Sequence, residues 1–308
     1  MVAVILYVTA NSNVTFDGNS SLVDFSGNMA KEKGGAIAVT NGASVRMSGK
    51  NTRFRANSAG FGGAVSIEDG GYFGITNGRF EQNKSALKGG AVYLKGKAEA
   101  WAQFHSYTVA YGENKTVFNE NSAKDKSNAI YLDSFSRVYF NIEERASVEM
   151  FDGISGSAED TYFEVSGTGD FNMRGSFNNL SINLLGRFNM LSGSKMNAGL
   201  IDINNGAKFS MQNGAPDTAR AATVNNSGTL AIDIFPQAND MLFVKDANLN
   251  NGVLDVKAEH MDNADFRKRI YKIINYENKV TGTFSAVNII FPSTPAVVNV
   301  GYGNVYDG

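Results

Sequence analysis

A phrase that opens Phe-x-x-Asn and reaches Gly-Gly-Ala-Ile/Val a few residues later is spelled repeatedly along this chain, and repetition restricts the fold more than any average property does. The copies are "FSGNMAKEKGGAIAV" with Phe25, Asn28, Gly34 and Gly35, "FRANSAGFGGAVSI" with Phe54, Asn57, Gly62 and Gly63, and "FEQNKSALKGGAVYL" with Phe80, Asn83, Gly89 and Gly90. A fourth, "FNENSAKDKSNAIYL", keeps Phe118 and Asn121 but has Ser127-Asn128 where the glycines stood. The phenylalanines lie 29, 26 and 38 residues apart, while Asn to the following doublet takes 6, 5, 6 and 6. A short segment is held tightly and the connection between copies varies.

Helical periodicity is nearly absent. Apolar residues recur at every second position over four to six residues between Gly, Asn, Asp or Ser, which is the pattern of short strands. The Gly-Gly-Ala strands can be laid over one another so that Ile37, Val65, Val92 and Ile130 share one inward position and Val39, Ile67, Leu94 and Leu132 the next. Ala38, Ser66, Tyr93 and Tyr131 then face outward. A second group of short strands, "GASVRMSG", "GYFGITNG", "ASVEMFDG", "GRFNMLSG" and "GAKFSMQNG", reads as one further strand type. Strands recurring every 20 to 30 residues without helices predict an all-β, single-stranded right-handed parallel β-helix, a solenoid whose coils stack about 4.8 Å apart. In it the phenylalanines form an internal stack, the asparagines an amide ladder, and the glycine doublets a corner needing positive φ or close backbone approach. A β-sandwich is the alternative, served by hairpin signals at Asn77-Gly78 and Asn213-Gly214.

The chain has 308 residues, enough for about two ordinary domains, though stacked repeats weaken that count. Its 28 basic and 30 acidic residues leave a formal charge of −2, so no basic field invites nucleic acid. Charged residues are 19% of the chain, below the roughly 25% of ordinary soluble domains. There is no cysteine, which excludes disulfides, thiolate metal sites and Cys nucleophiles. "VAVILYV", Val2 to Val8, is too short to span a bilayer and has no basic flank; it reads as a first strand, with the remnant of a signal peptide as the other reading.

Phe-x-x-Asn together with Gly-Gly-Ala-Ile/Val resembles the repeat of the polymorphic outer membrane proteins of chlamydiae, members of the autotransporter (type V secretion) group, over residues 25–132. "NDMLFVKDANLNNGVLDV" and "YKIINYENKVTGTF" (Asn239 to Val256, Tyr271 to Phe284) resemble the end of autotransporter passengers, where closing coils act as a folding nucleus. The resemblance implies coils over residues 1–235, closing coils over 236–308, an extracellular or outer-membrane-surface location, and attachment to a β-barrel translocator in a longer precursor. No run of barrel strands follows Phe284, so the sequence reads as a passenger fragment or a short relative.

Chemistry has little to stand on. His105 and His260 sit in unrelated contexts without a ligand-spaced partner, and neither a metal nor another cofactor is expected. "GISGS" (Gly153 to Ser157) misses the nucleophile elbow by its last residue and reads as a turn; "GTGD" (Gly167 to Asp170) reads as a corner. The acidic pairs Glu143-Glu144 and Glu159-Asp160 have no placed partner.

One coil breaks the pattern. Val39 to Phe54 takes 15 residues and Ile67 to Phe80 takes 13, but Leu94 to Phe118 takes 24. The extra segment, Lys95 to Thr116, holds Trp101, Phe104, His105, Tyr107 and Tyr111. Aromatics on a projecting loop make a recognition surface; alternatively they pack on the flank of one more irregular coil. The expected function is a surface-displayed or secreted adhesin contacting a host-surface protein or glycan. The alternatives are a carbohydrate-active enzyme on the same fold and a structural spacer.

Overall fold

A computed structural model describes residues 6–17, 22–48, 52–107, 114–157, 160–258, 270–291 and 301. The chain winds into a parallel β-helix. Each coil contributes strands to three faces: the first and second faces make up an 18-stranded sheet and the third an 11-stranded sheet. On the first face the pairing runs Leu6, Ile37, Val65, Val92, Ile130, Ile154, Phe177, Met196, Ala219, Leu242, Ile274, one residue for each of eleven coils. The four inward positions read from the repeats are therefore in register, and all four side chains are fully buried.

The third face carries the phenylalanine stack. Phe25, Phe54, Phe80 and Phe118 pair directly across coils, with centroids 5.0, 4.9 and 4.8 Å apart and rings within 6° of parallel. Beyond Phe118 the same position continues as Met150, Met173 and Met190. The rings move two residues back, to Phe171, Phe188 and Phe209. Phe140 bridges the two stacks, edge-on to both Phe118 and Phe171. Aromatic area thus stays buried as far as Phe209 while its register changes, and Leu230 and Leu254 take over the position beyond it.

At the corner after each of the first phenylalanines stands the amide ladder. Asn57 Nδ2 donates to Asn83 Oδ1 (2.9 Å) and to the carbonyl of Phe25 (2.8 Å), and Asn28 and Asn83 repeat the link. Glycine meets both demands of the next corner. Gly34, Gly62 and Gly89 have φ of +55, +59 and +65°. A Cβ on Gly35 would lie 2.2 Å from the carbonyl oxygen of Gly63, and one on Gly63 2.2 Å from that of Gly90. In the fourth copy, without glycines, Ser122–Ala123 and Lys126–Ser127 fold back as an antiparallel pair. These strands, with Ser58–Phe61 and Lys84–Lys88, form a four-stranded sheet confined to the repeat coils. Past it the coils shorten: Val92 to Ile130 takes 38 residues and Phe177 to Met196 takes 19.

Two sequence readings need correction. The second group of strands is not one type: Ser44–Met47 and Tyr72–Thr76 lie on the second face, but Ser147–Met150, Arg187–Met190 and Lys208–Ser210 lie on the third. Alternation between glycines is the same whichever side of a solenoid a strand occupies. "GISGS" is no turn, because Ile154–Gly156 is a first-face strand whose outward Ser155 accepts a hydrogen bond from Asn128 Nδ2 (2.6 Å).

Candidate binding face

The segment expected to project contains a seven-residue strand, Ala100–Ser106, paired in parallel with Tyr72–Thr76 on one side and Ser136–Ile142 on the other. Strand alternation sorts its aromatics. Ala100, Ala102, Phe104 and Ser106 turn inward and are fully buried; Trp101, Gln103 and His105 turn outward. Phe104 is therefore withdrawn from any partner: its ring stacks on Phe140 at 4.8 Å inside the core. Trp101 is 40% exposed. Tyr107 lies beside His105, rings 5.4 Å apart, with its backbone N–H donating to Asn77 Oδ1 (2.9 Å). Tyr111 and His260 lie outside the described residues.

Register places further planar groups on the same outer face. One outward column runs Ser44, Tyr72, Trp101, Arg137, Tyr162; the adjoining one runs Arg46, Gly74, Gln103, Tyr139, Glu164, Asn183. Arg46 stacks on the Tyr72 ring at 4.7 Å, and the Tyr72 hydroxyl crosses over Gly74 to donate to Gln103 Oε1 (2.9 Å). A Cβ on Gly74 would meet that hydroxyl at 2.7 Å, so glycine makes room for the phenol. Trp101 packs against Tyr139 (5.7 Å) and Tyr139 against Tyr162 (5.6 Å). Arg137 covers the far ring at 5.3 Å while donating to Glu99 (2.7 Å). Tyr162 donates to Glu164 (2.6 Å) and accepts from Asn183 Nδ2 (2.7 Å).

These contacts fix the charge states. Burial, with the neighbouring Glu164 carboxylate, pushes Tyr162 up to about 12, and burial also raises Tyr72 and Tyr139, so the phenols stay protonated donors. Burial lowers His105, leaving its imidazole neutral at pH 7. The Arg137 guanidinium holds Glu99 below the usual carboxylate range. The result is a rigid strip of rings, amides and balanced charge. Sequence reasoning found Trp101, His105 and Tyr107 but missed Arg46, Tyr72, Arg137, Tyr139 and Tyr162. Laying "GYFGIT", "AWAQFHS", "SRVYFNI" and "TYFEVSG" over one another is the signal that collects them.

Elsewhere, an open groove of about 330 Å³ on the first face of the later coils is lined by Asn197, Arg220, Phe243, Lys245, Asn275 and Glu277. Among the described residues no three His, Cys, Asp or Glu side chains gather in a metal-binding group.

A family model, the Chlamydia polymorphic membrane protein (Chlamydia_PMP) repeat, matches residues 13–40, the span that holds Phe25, Asn28, Gly34 and Gly35. No curated protein and no solved structure matches the chain. The chain therefore carries a repeat of the Chlamydia polymorphic membrane protein type.

Proposed function

We propose that this chain is the passenger part of a cell-surface protein and works as an adhesin, holding a host-surface protein or glycan against the side of its β-helical rod. The observation that carries this reading is the second-face strip: Trp101, exposed on a paired strand and packed against Tyr139, is an aromatic anchor already fixed in place. A rigid ring loses little conformational entropy on binding. The repeat match supports the surface location, since the repeat belongs to a membrane-protein family.

In the same reading residues 236–308 close the rod and assist its folding, and a β-barrel in the precursor carries it to the surface. The test is binding of the purified protein to intact host cells, with Trp101→Ala/Tyr107→Ala beside it. Saturable binding that the double substitution weakens is expected. Equal binding by both proteins would remove these residues from the contact, and no saturable binding would remove the adhesin reading.

A further inference from the structure

The second-face strip has a length, a chemistry and a charge balance that together select one kind of ligand. From Arg46 in the second coil to Asn183 in the seventh it spans five coil steps, about 24 Å at the usual spacing of parallel strands. One such step is close to the length that one pyranose residue adds to an extended polysaccharide, so groups repeating once per coil meet a linear glycan in register. The rings of Tyr72, Trp101, Tyr139 and Tyr162 can pack against sugar C–H faces. Amides and carboxylates between them suit vicinal hydroxyls, which both donate and accept. Gln103 spends Oε1 on Tyr72, and its Nε2 has no partner among the described residues. Beyond Asn183 the same column continues with Asp202, Asn225, Asn248 and Thr281 and carries no ring, so the stacking contacts end within these coils.

Charge narrows the choice. Arg46 and Arg137 are offset by Glu99 and Glu164, and His105 is neutral, so the strip offers no net field to a polyanion. From these observations we infer that the second face binds an uncharged, extended β-linked hexose polymer, about five residues at a time. The inference rests on the adhesin reading and names its ligand.

Trp101 is the only tryptophan in the chain, so its emission reports directly on the strip. The experiment titrates the full chain with cello- and manno-oligosaccharides of two to six residues. Malto-oligosaccharides, which curve, and heparin serve as contrasts, with calorimetry run in parallel. The inference predicts a saturable change in Trp101 emission and affinity that rises to about five residues and then levels. It predicts little dependence on salt, weaker binding of the curved oligomers, and loss of about tenfold or more in affinity for Tyr139→Ala and Tyr162→Ala. Trp101→Phe, which keeps a ring and the core intact, should retain part of the affinity if the alanine variants prove unstable.

Calorimetric binding without any change in emission, or binding lost on Arg220→Ala in the other groove instead, would move the site off this face and overturn the inference. A preference for heparin with steep salt dependence would overturn the uncharged ligand. Silence toward every oligosaccharide, with host-cell binding intact and unaffected by glycosidase treatment of the cells, would sink the inference and leave the adhesin reading standing. Silence together with no cell binding would sink both.

Discussion

Asn121 donates both its backbone N–H (2.9 Å) and its side-chain Nδ2 (2.7 Å) to the single carboxylate oxygen Oδ2 of Asp152. A ladder built from four asparagines thus ends on an aspartate. An amide in the middle of such a ladder both gives and receives, whereas its terminus needs only an acceptor, which a carboxylate supplies more strongly.

The ladder gives the first prediction. Asn57→Ala removes the oxygen that accepts both the backbone N–H and Nδ2 of Asn28 and the amide that donates to the carbonyl of Phe25, all within a buried corner, while Oδ1 of Asn83 keeps only the backbone N–H of residue 57. Buried polar groups without partners cost roughly 1–3 kcal/mol each, so the substitution should destabilise the rod by about 3 kcal/mol or more in urea unfolding. A loss under about 1 kcal/mol would mean that the ladder decorates the corner and does not hold it.

Glycines in this fold are not equivalent. On Gly63 a Cβ meets backbone oxygen of the next coil at 2.2 Å, while on Gly206, with φ of +82°, it meets nothing within 4 Å. Gly206→Ala should cost only the conformational term of about 1–2 kcal/mol. Gly63→Ala must spread two coils and should cost at least twice as much, measured by thermal unfolding of the two proteins side by side.

Stability should also fall with rising pH on account of Asp240. This side chain is fully buried, and its carboxylate accepts N–H groups from Asp217 (2.8 Å) and Asp233 (2.6 Å). Burial first, then the neighbouring Asp233 and Asp217 charges, push it up to about 7 from a usual value near 4. The native state therefore holds a proton that the unfolded chain has released. Its contribution is complete below about pH 4 and is lost as pH rises through about 7. Asp240→Asn should flatten that part of the stability profile between pH 5 and 8; an unchanged slope would assign it to other groups.

The repeats made half of this fold legible. Phe25, Phe54, Phe80 and Phe118 announce their register because each coil spells the same words, and the inward columns through Ile37 and Val39 follow from alternation alone. Past the fourth copy the words disappear while the coils continue: Met150, Met173 and Met190 occupy the phenylalanine position, and the rings shift to Phe171 and Phe188. A buried position in a β-helix asks only for bulk, which Met and Phe both supply. The candidate face was half visible for a related reason. Trp101 stood out as the only tryptophan, but Tyr139 and Tyr162 become its neighbours only once coil register is known.

The closing coils give a prediction of their own. Met241–Asn248 pairs with Thr218–Asn226 and Val253–Lys257 with Thr229–Asp233, so they cover the open edges of the coil beneath. A chain ending at Phe235 exposes those edges and should melt lower and aggregate. Equal melting temperatures would separate residues 236–308 from the stability of the rod.

The most direct test of the binding account compares two faces of one molecule on intact host cells. Trp101→Ala/Tyr162→Ala alters the second face, and Asn172→Ala/Asn189→Ala alters the third, where the two amides form a ladder with Nδ2 of Asn189 donating to Oδ1 of Asn172 (3.0 Å). With both proteins shown to be folded by circular dichroism, the account predicts that the first pair lowers cell binding about tenfold or more and that the second leaves it unchanged. Equal binding by both, or loss confined to the third-face pair, would contradict it.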